Sequence, residues 1–189
     1  MRDKQYRERQ EGFSLMEVLI VIAIIGILTT LAINSFRETG DKYRVESETK
    51  EMFANLMDAR ARALQRNRIS FVRIEANGYE TYEDTAPAPD GDGILTMTPV
   101  VGGSGDKLVV KVTLPSHTIV THGLVGGSSG YETFRFGPNG VASVASTGFV
   151  RIVTSDNRVV PDYDCIVIGP TRVKMGQFST ANGGTCVEK

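Results

Sequence analysis

Between Glu17 and Arg37 the chain carries no charged residue for 19 positions, 18–36, reading VLIVIAIIGILTTLAINSF. At about 1.5 Å per residue, such a helix covers roughly 28 Å, close to one hydrocarbon thickness of a bilayer. No second run of this kind occurs in the 189 residues, so the chain is bitopic or secreted rather than polytopic. Residues 1–12 read MRDKQYRERQEG, with Arg2, Lys4, Arg7 and Arg9 against Asp3, Glu8 and Glu11. Basic residues ahead of a lone span keep the N-terminus in the cytoplasm and export the remainder of the chain.

Three readings of the segment compete. A plain transmembrane anchor fits its length. A secretory signal peptide requires a small-x-small cleavage site, and Thr30-Leu31-Ala32 is the best on offer. The third reading starts from Glu17. A carboxylate at the edge of a membrane-length apolar run is unfavourable unless it is paired, and neither an anchor nor a signal peptide gains from it.

Gly12-Phe13-Ser14-Leu15-Met16-Glu17-Val18-Leu19, after a short basic leader and before the apolar stretch, resembles the type III signal of type IV pilins and type II secretion pseudopilins. The resemblance implies that a prepilin peptidase cuts after Gly12 and methylates the new N-terminal residue, Phe13. The family glutamate falls on Glu17, the fifth residue after the cut, where it serves assembly. Residues 1–12 are then a cleaved leader, and 13–37 a transmembrane or filament-core helix.

The helix is expected to continue as an amphipathic half over 38–68. From Asp41 to Arg68 there is neither Gly nor Pro, and Val45, Thr49, Met52, Phe53, Leu56, Ala59, Ala63 and Leu64 recur at steps of three or four. Lys42, Glu46, Glu48, Lys50, Glu51 and Asp58 occupy the other face, and Gly40 offers a bend between the halves. Arg60, Arg62, Arg66 and Arg68 cluster near the helix end. They either complement the negative end of the helix dipole or meet lipid headgroups or DNA.

After Arg68 the period changes from 3.6 to two. Strands are expected at 69–74, 79–82, 94–100, 107–114, 118–122, 131–136, 141–144, 148–154, 163–168 and 171–176, with Asn77-Gly78 as a hairpin turn. Gly102-Gly103-Ser104-Gly105 and 126–130 are breakers. The fold class expected is α+β and pilin-like: a long N-terminal helix, membrane-spanning in its first half, packed on a small antiparallel β-sandwich at 69–189. Phe134-Arg135-Phe136-Gly137-Pro138-Asn139-Gly140, Phe149–Ile152 and Cys165–Lys174 are similar to the end of GspH/FimT-type minor pseudopilins.

Cys165 and Cys186 are the only cysteines. In an exported domain they are expected to pair, closing a loop of about 20 residues and contributing about 3 kcal/mol in the chain-entropy account. No catalytic site is readable: there is no Walker loop, no G-x-S-x-G, no His-Glu-x-x-His and no base placed for a cysteine nucleophile. No metal or cofactor is expected. His117 and His122 lie five apart on a strand, which is poor for one ion. Asp90-Gly91-Asp92-Gly93 lacks the third acid and the distal glutamate of a calcium loop.

The resemblance implies a minor pilin or pseudopilin, a structural subunit near the tip of a type II secretion pseudopilus or a type IV pilus. Its partners would be other pilins in a helical filament, the prepilin peptidase and an inner-membrane assembly platform. Its place would be the bacterial inner membrane, single-pass with a periplasmic C-terminal domain, and then the filament. The alternative is a minor pilin that captures DNA through Arg172 and Lys174. A net charge of -1 gives no global field to recruit nucleic acid.

Overall fold

In the computed structural model the structure describes residues 12–87, 91–97, 105–114, 117–122, 131–144, 147–154, 160–181 and 183–189, without the side chains of 31–37, 121–122 and 131. The leader as far as residue 11 therefore lies outside the described residues. The chain divides into two compact units, 1–40 and 41–189. One helix, α1 (Leu15–Arg66), supplies the first unit and enters the second, and it remains helical through Gly40.

Within the second unit, Val45, Thr49, Met52, Leu56, Ala59 and Ala63 are all buried. Their steps of four, three, four, three and four form one stripe, and that stripe is the helical side of the core. Leu64, expected in the stripe, lies beside it and stays 51% exposed. Glu46, expected on the solvated face, is buried: its Oε1 accepts the Asp162 N–H at 2.9 Å, and Lys50 approaches its other oxygen at 3.6 Å. The helix stops at Asn67, which has φ 53°, while the Arg68 N–H reaches back to the Ala63 carbonyl at 3.3 Å. This is a Schellman closure with asparagine in the left-handed position.

Among the described residues nine strands form two antiparallel sheets. They are β1 (Ser70–Glu75), β2 (Gly78–Glu83), β3 (Lys107–Thr113), β4 (His117–His122), β5 (Tyr131–Phe136), β6 (Gly148–Thr154), β7 (Cys165–Ile168), β8 (Val173–Ser179) and β9 (Thr185–Glu188). The four-stranded sheet has the order β3-β2-β1-β5, and the five-stranded sheet β4-β6-β7-β8-β9. Alternation sets the faces. Val72, Ile74, Tyr79, Phe134 and Phe136 from the first sheet join Ile119, Val150, Ile152, Ile166 and Ile168 from the second in one core with the helix stripe. The observed class is α+β, with the helix packed on antiparallel sheets as expected.

Three local expectations fail for identifiable reasons. No strand forms over 94–97, and 98–100 lies outside the described residues. The backbone there is turned by a side chain instead: Asp106 accepts the N–H of Thr85, Ala86 and Thr96 at 2.9, 3.0 and 2.8 Å. Residues 141–144 make only an isolated bridge, Phe136 to Ala142. Their amides go to different partners, Ala142 to the Pro170 carbonyl and Ser143 to that of Arg135. The hairpin turn falls on Ala76-Asn77, and Gly78 opens β2 opposite Glu75. Gly78 is needed for a close approach, because a Cβ there would sit 2.2 Å from the Val112 carbonyl oxygen.

Candidate functional site

Gly12, Phe13 and Ser14 precede the helix in irregular, exposed backbone, and Phe13 is 83% exposed. A peptidase cutting at 12–13 would meet two non-helical residues rather than a wound helix. Ser14 is the N-cap: its carbonyl accepts the N–H of Glu17 and of Val18 at 3.0 and 3.2 Å. Glu17 then stands at the third helical position, in the spacing Ser-x-x-Glu of a capping box, where a carboxylate meets the positive end of the helix dipole. That local role was legible in Ser14-Leu15-Met16-Glu17 and was missed by reading Glu17 against the apolar run alone.

From Phe13 to Leu28, twelve large apolar side chains are exposed, between 47% and 83%. They surround the helix rather than lining one face, so no single partner surface within the chain could cover them. The two hydroxyls in the stretch are satisfied internally. Thr29 donates to the Ile25 carbonyl at 2.7 Å and Thr30 to the Gly26 carbonyl at 2.9 Å. Such back-bonds let threonine sit in a medium without water. Among the described residues no helix is long and apolar enough to cross a membrane. The charge-free run continues in sequence through 31–36, whose side chains lie outside the described residues.

At the other end, the Cys165–Cys186 disulfide joins β7 to β9 across β8. Lys174 donates to Glu188 at 2.5 Å and Arg172 lies 3.9 Å from the same carboxylate. The hydrogen bond from Lys174, before any other influence, holds the Glu188 carboxyl below its ordinary value. The two cations proposed for DNA contact thus share one acid. Of the four arginines near the helix end, Arg60 donates to the Thr171 carbonyl at 2.9 Å, Arg62 pairs with Asp58 and Arg66 with Glu83. They therefore serve the second unit's own structure.

Among the described residues no group of three or more His, Cys, Asp or Glu is placed to hold a metal ion. His117 is buried and its Nδ1 lies 2.5 Å from Glu48 of the helix, while His122 pairs with Phe149 at the far end of β4. Asp90 lies outside the described residues. Asp92 accepts the Ile94 N–H at 2.9 Å, and Asp84 accepts the Gly93 N–H at 2.8 Å. Burial above all, and then the Asp106 charge, pushes the Asp84 carboxyl up, against that hydrogen bond.

Residues 7–33 match the family model of the prokaryotic N-terminal methylation motif. The chain is 25% identical over 122 residues to type II secretion system protein H of Aeromonas hydrophila, covering 65% of this chain and 62% of that protein. It is 41% identical over 56 residues to the type IV major pilin protein PilA of Myxococcus xanthus (strain DK1622), covering 30% of this chain and 24% of that one. The chain thus spans less than two thirds of either curated relative. Among solved structures it is similar to the minor pseudopilin EpsH from the type 2 secretion system of Vibrio cholerae, with a TM-score of 0.49 and 10% identity over 70% of this chain and 96% of that one. At its N-terminal motif and in these curated relatives the chain is thus similar to one class, type IV pilin-like proteins. Within it, the motif and the protein H relative together support a pseudopilin of the GspH type.

Proposed function

We propose that the chain is a minor pseudopilin, a structural subunit of a type II secretion pseudopilus that supports protein secretion. The observation that carries this is the N-terminal segment. A methylation motif leads into a helix that carries eleven exposed apolar side chains from Leu15 to Leu28 and, over that stretch, one carboxylate, at its third position. In this reading a prepilin peptidase removes residues 1–12 and methylates Phe13. The helix waits in the inner membrane as a single span with residues 41–189 in the periplasm. An assembly platform then moves it into a filament, where neighbouring helices replace lipid.

Glu17 acts as a register pin. Inside a filament its carboxylate is far from water, and an unpaired buried charge costs several kcal/mol unless a cation meets it. Cleavage frees one such cation, the amine of Phe13. The partner of Glu17 is the amine of a neighbouring subunit, so a subunit docked out of register leaves both charges unpaired. The chain itself carries out no chemistry in this reading, which is supported by its similarity to a secretion-system subunit and a pilin. Nothing in those relatives or in the ion pairs of Arg172 and Lys174 favours the DNA-binding alternative.

The test uses the full chain in its native membrane. Intact mass should show residues 13–189 plus one methyl group. Glu17→Val should be processed and inserted normally yet fail to co-purify with the other pilins. A mature form beginning near residue 33, or normal assembly of Glu17→Val, would overturn the reading.

A further inference from the structure

A sheet edge is a row of unpaired N–H and C=O groups, and proteins ordinarily close or blunt it. Among the described residues three of the four sheet edges are treated in that way. Along β5 the chain folds back: the Gly137 N–H reaches the Val141 carbonyl at 2.9 Å, and Ser143 donates to Arg135. At β4 the Ile119 N–H is taken by the Ala76 carbonyl of the β1–β2 turn at 2.7 Å. The β9 edge is only four residues long and is tied down by the disulfide.

The fourth edge, β3, differs. It is seven residues long, and every side chain on it is exposed or half-exposed. Among the described residues, nothing but β2 pairs with its backbone beyond Lys107, whose N–H donates to the Thr85 hydroxyl. Its register also shifts. Val110 pairs with Thr81, and the next pair is Leu108 with Tyr82, so Val109 is the extra residue of a bulge. Thr81 points to the core and Tyr82 to the opposite face, so the bulge turns Leu108 away from the core. Leu108 is left 48% exposed. A bulge and two lysines alone would blunt an edge, but a blunted edge has no need of an outward leucine.

The charges on β3 say what could pair there. The strand, KLVVKVT, holds two lysines and no acid. Lys111 reaches Glu80 at 2.7 Å yet stays 61% exposed, and Lys107 stands opposite Glu83, whose ion pair is with Arg66 and on which Lys107 acts as a secondary charge. Edge-to-edge pairing with a second copy would bring four lysines together. An extended strand bearing carboxylates meets them instead.

We infer that the β3 edge is a docking site for an extended, carboxylate-bearing strand of a different filament subunit, which continues the four-stranded sheet and covers Leu108. The inference rests on the proposed role as a filament subunit. Main-chain pairing supplies adhesion, and Leu108 with Lys107 supplies selectivity.

The experiment places a photoreactive benzoylphenylalanine at Leu108 of the full chain in cells that assemble the filament. Val160, 69% exposed and outside β3, is the control position. The expected result is an adduct from position 108 alone, mapped to an Asp- or Glu-containing strand of another pilin-class chain. Lys107→Glu should reduce it about threefold, the size of one exposed ion pair, and Asp/Glu→Lys in the partner strand should restore it. Thermal unfolding of Lys107→Glu checks that the fold is intact. An adduct to a second copy of this chain overturns the inference. So does no adduct while the chain still co-purifies with other pilins, and in that case the filament reading stands. Loss of both the adduct and co-purification overturns the two together.

Discussion

Replacing Cys186 by serine separates local from global stability in the second unit. Cys186 sits on β9, which pairs with β8 through four residue pairs, Ser179–Thr185 to Gly176–Glu188. Two or three net hydrogen bonds at about 1 kcal/mol each are offset by about 1 kcal/mol or more of backbone entropy for each of four residues. The pairing of β9 alone is therefore near zero or unfavourable. The cross-link changes this balance. Cys165 and Cys186 are 21 positions apart, and the chain-entropy account gives about 3 kcal/mol for a loop of that size. Most of that should appear as local opening. Cys165 is fully buried between β6 and β8 and stays in place when its partner is lost. Hydrogen exchange should show the 185–188 amides losing protection about a hundredfold, while α1 beyond Asp41 and strands β1, β2, β6 and β7 keep theirs. If β9 stays protected while protection falls uniformly across the core, β9 is an integral part of the cooperative unit and the reasoning is wrong.

Other perturbations act through single contacts. Leu56→Ala, at a site with no exposure, should destabilise the second unit by about 2–5 kcal/mol in denaturant unfolding. Asp106→Ala orphans three backbone N–H groups and should cost about 2–3 kcal/mol, with faster proteolysis within 85–97 as the direct readout. The hydrogen bond from Arg66 holds the Glu83 carboxyl below its ordinary value of 4.5, so the pair's contribution is present above that pH and is lost as pH falls through the folded value. Arg66→Ala should therefore destabilise slightly at neutral pH, since the half-exposed guanidinium is screened by solvent, and the difference from the parent should vanish in acid.

How much was legible depended on whether a signal was periodic or made by one distant side chain. The stripe from Val45 to Ala63 could be read residue by residue because burial on a helix repeats every three or four positions. Leu64 and Glu46 were misplaced because apolarity and charge stood in for position on that stripe. Glu46 is buried only because an amide from residue 162 meets it, a contact 116 positions away that no local pattern announces. The alternating strands were legible to within a few residues. Ile94-Leu95-Thr96-Met97 reads as a strand until Asp106 takes its amide, and that outcome depends on the return of the chain. β9 was missed because Thr185-Cys186-Val187-Glu188 is too short to show a period, although the pairing of Cys186 limited where the tail could go. At the candidate site the motif was complete in sequence, and the structure added the Ser14 cap and the internal bonds of Thr29 and Thr30.

The two units also make the functional reading separable from stability. Side chains from Phe13 to Leu28 bury little within the chain, so changing them removes no core contact, whereas Met52, Leu56 and Ala59 of the same helix are buried completely or nearly so. One continuous helix thus answers to two environments. Its second half is fixed by water on one side and a β-sandwich on the other, which explains the stripe. Its first half has no such asymmetry, and its uniform apolar surface fits only a surrounding that is apolar in every direction. Two media meet that condition, lipid and a bundle of like helices, and in the proposed role the segment suits both in turn. A single carboxylate is unfavourable in the first medium and specific in the second. Glu17 lies at the third position of the helix, which in the proposed role puts it close enough to the headgroup boundary to be tolerated before assembly. In that role a second charge deeper in the run would lose that tolerance, and the run from 18 to 36 contains none.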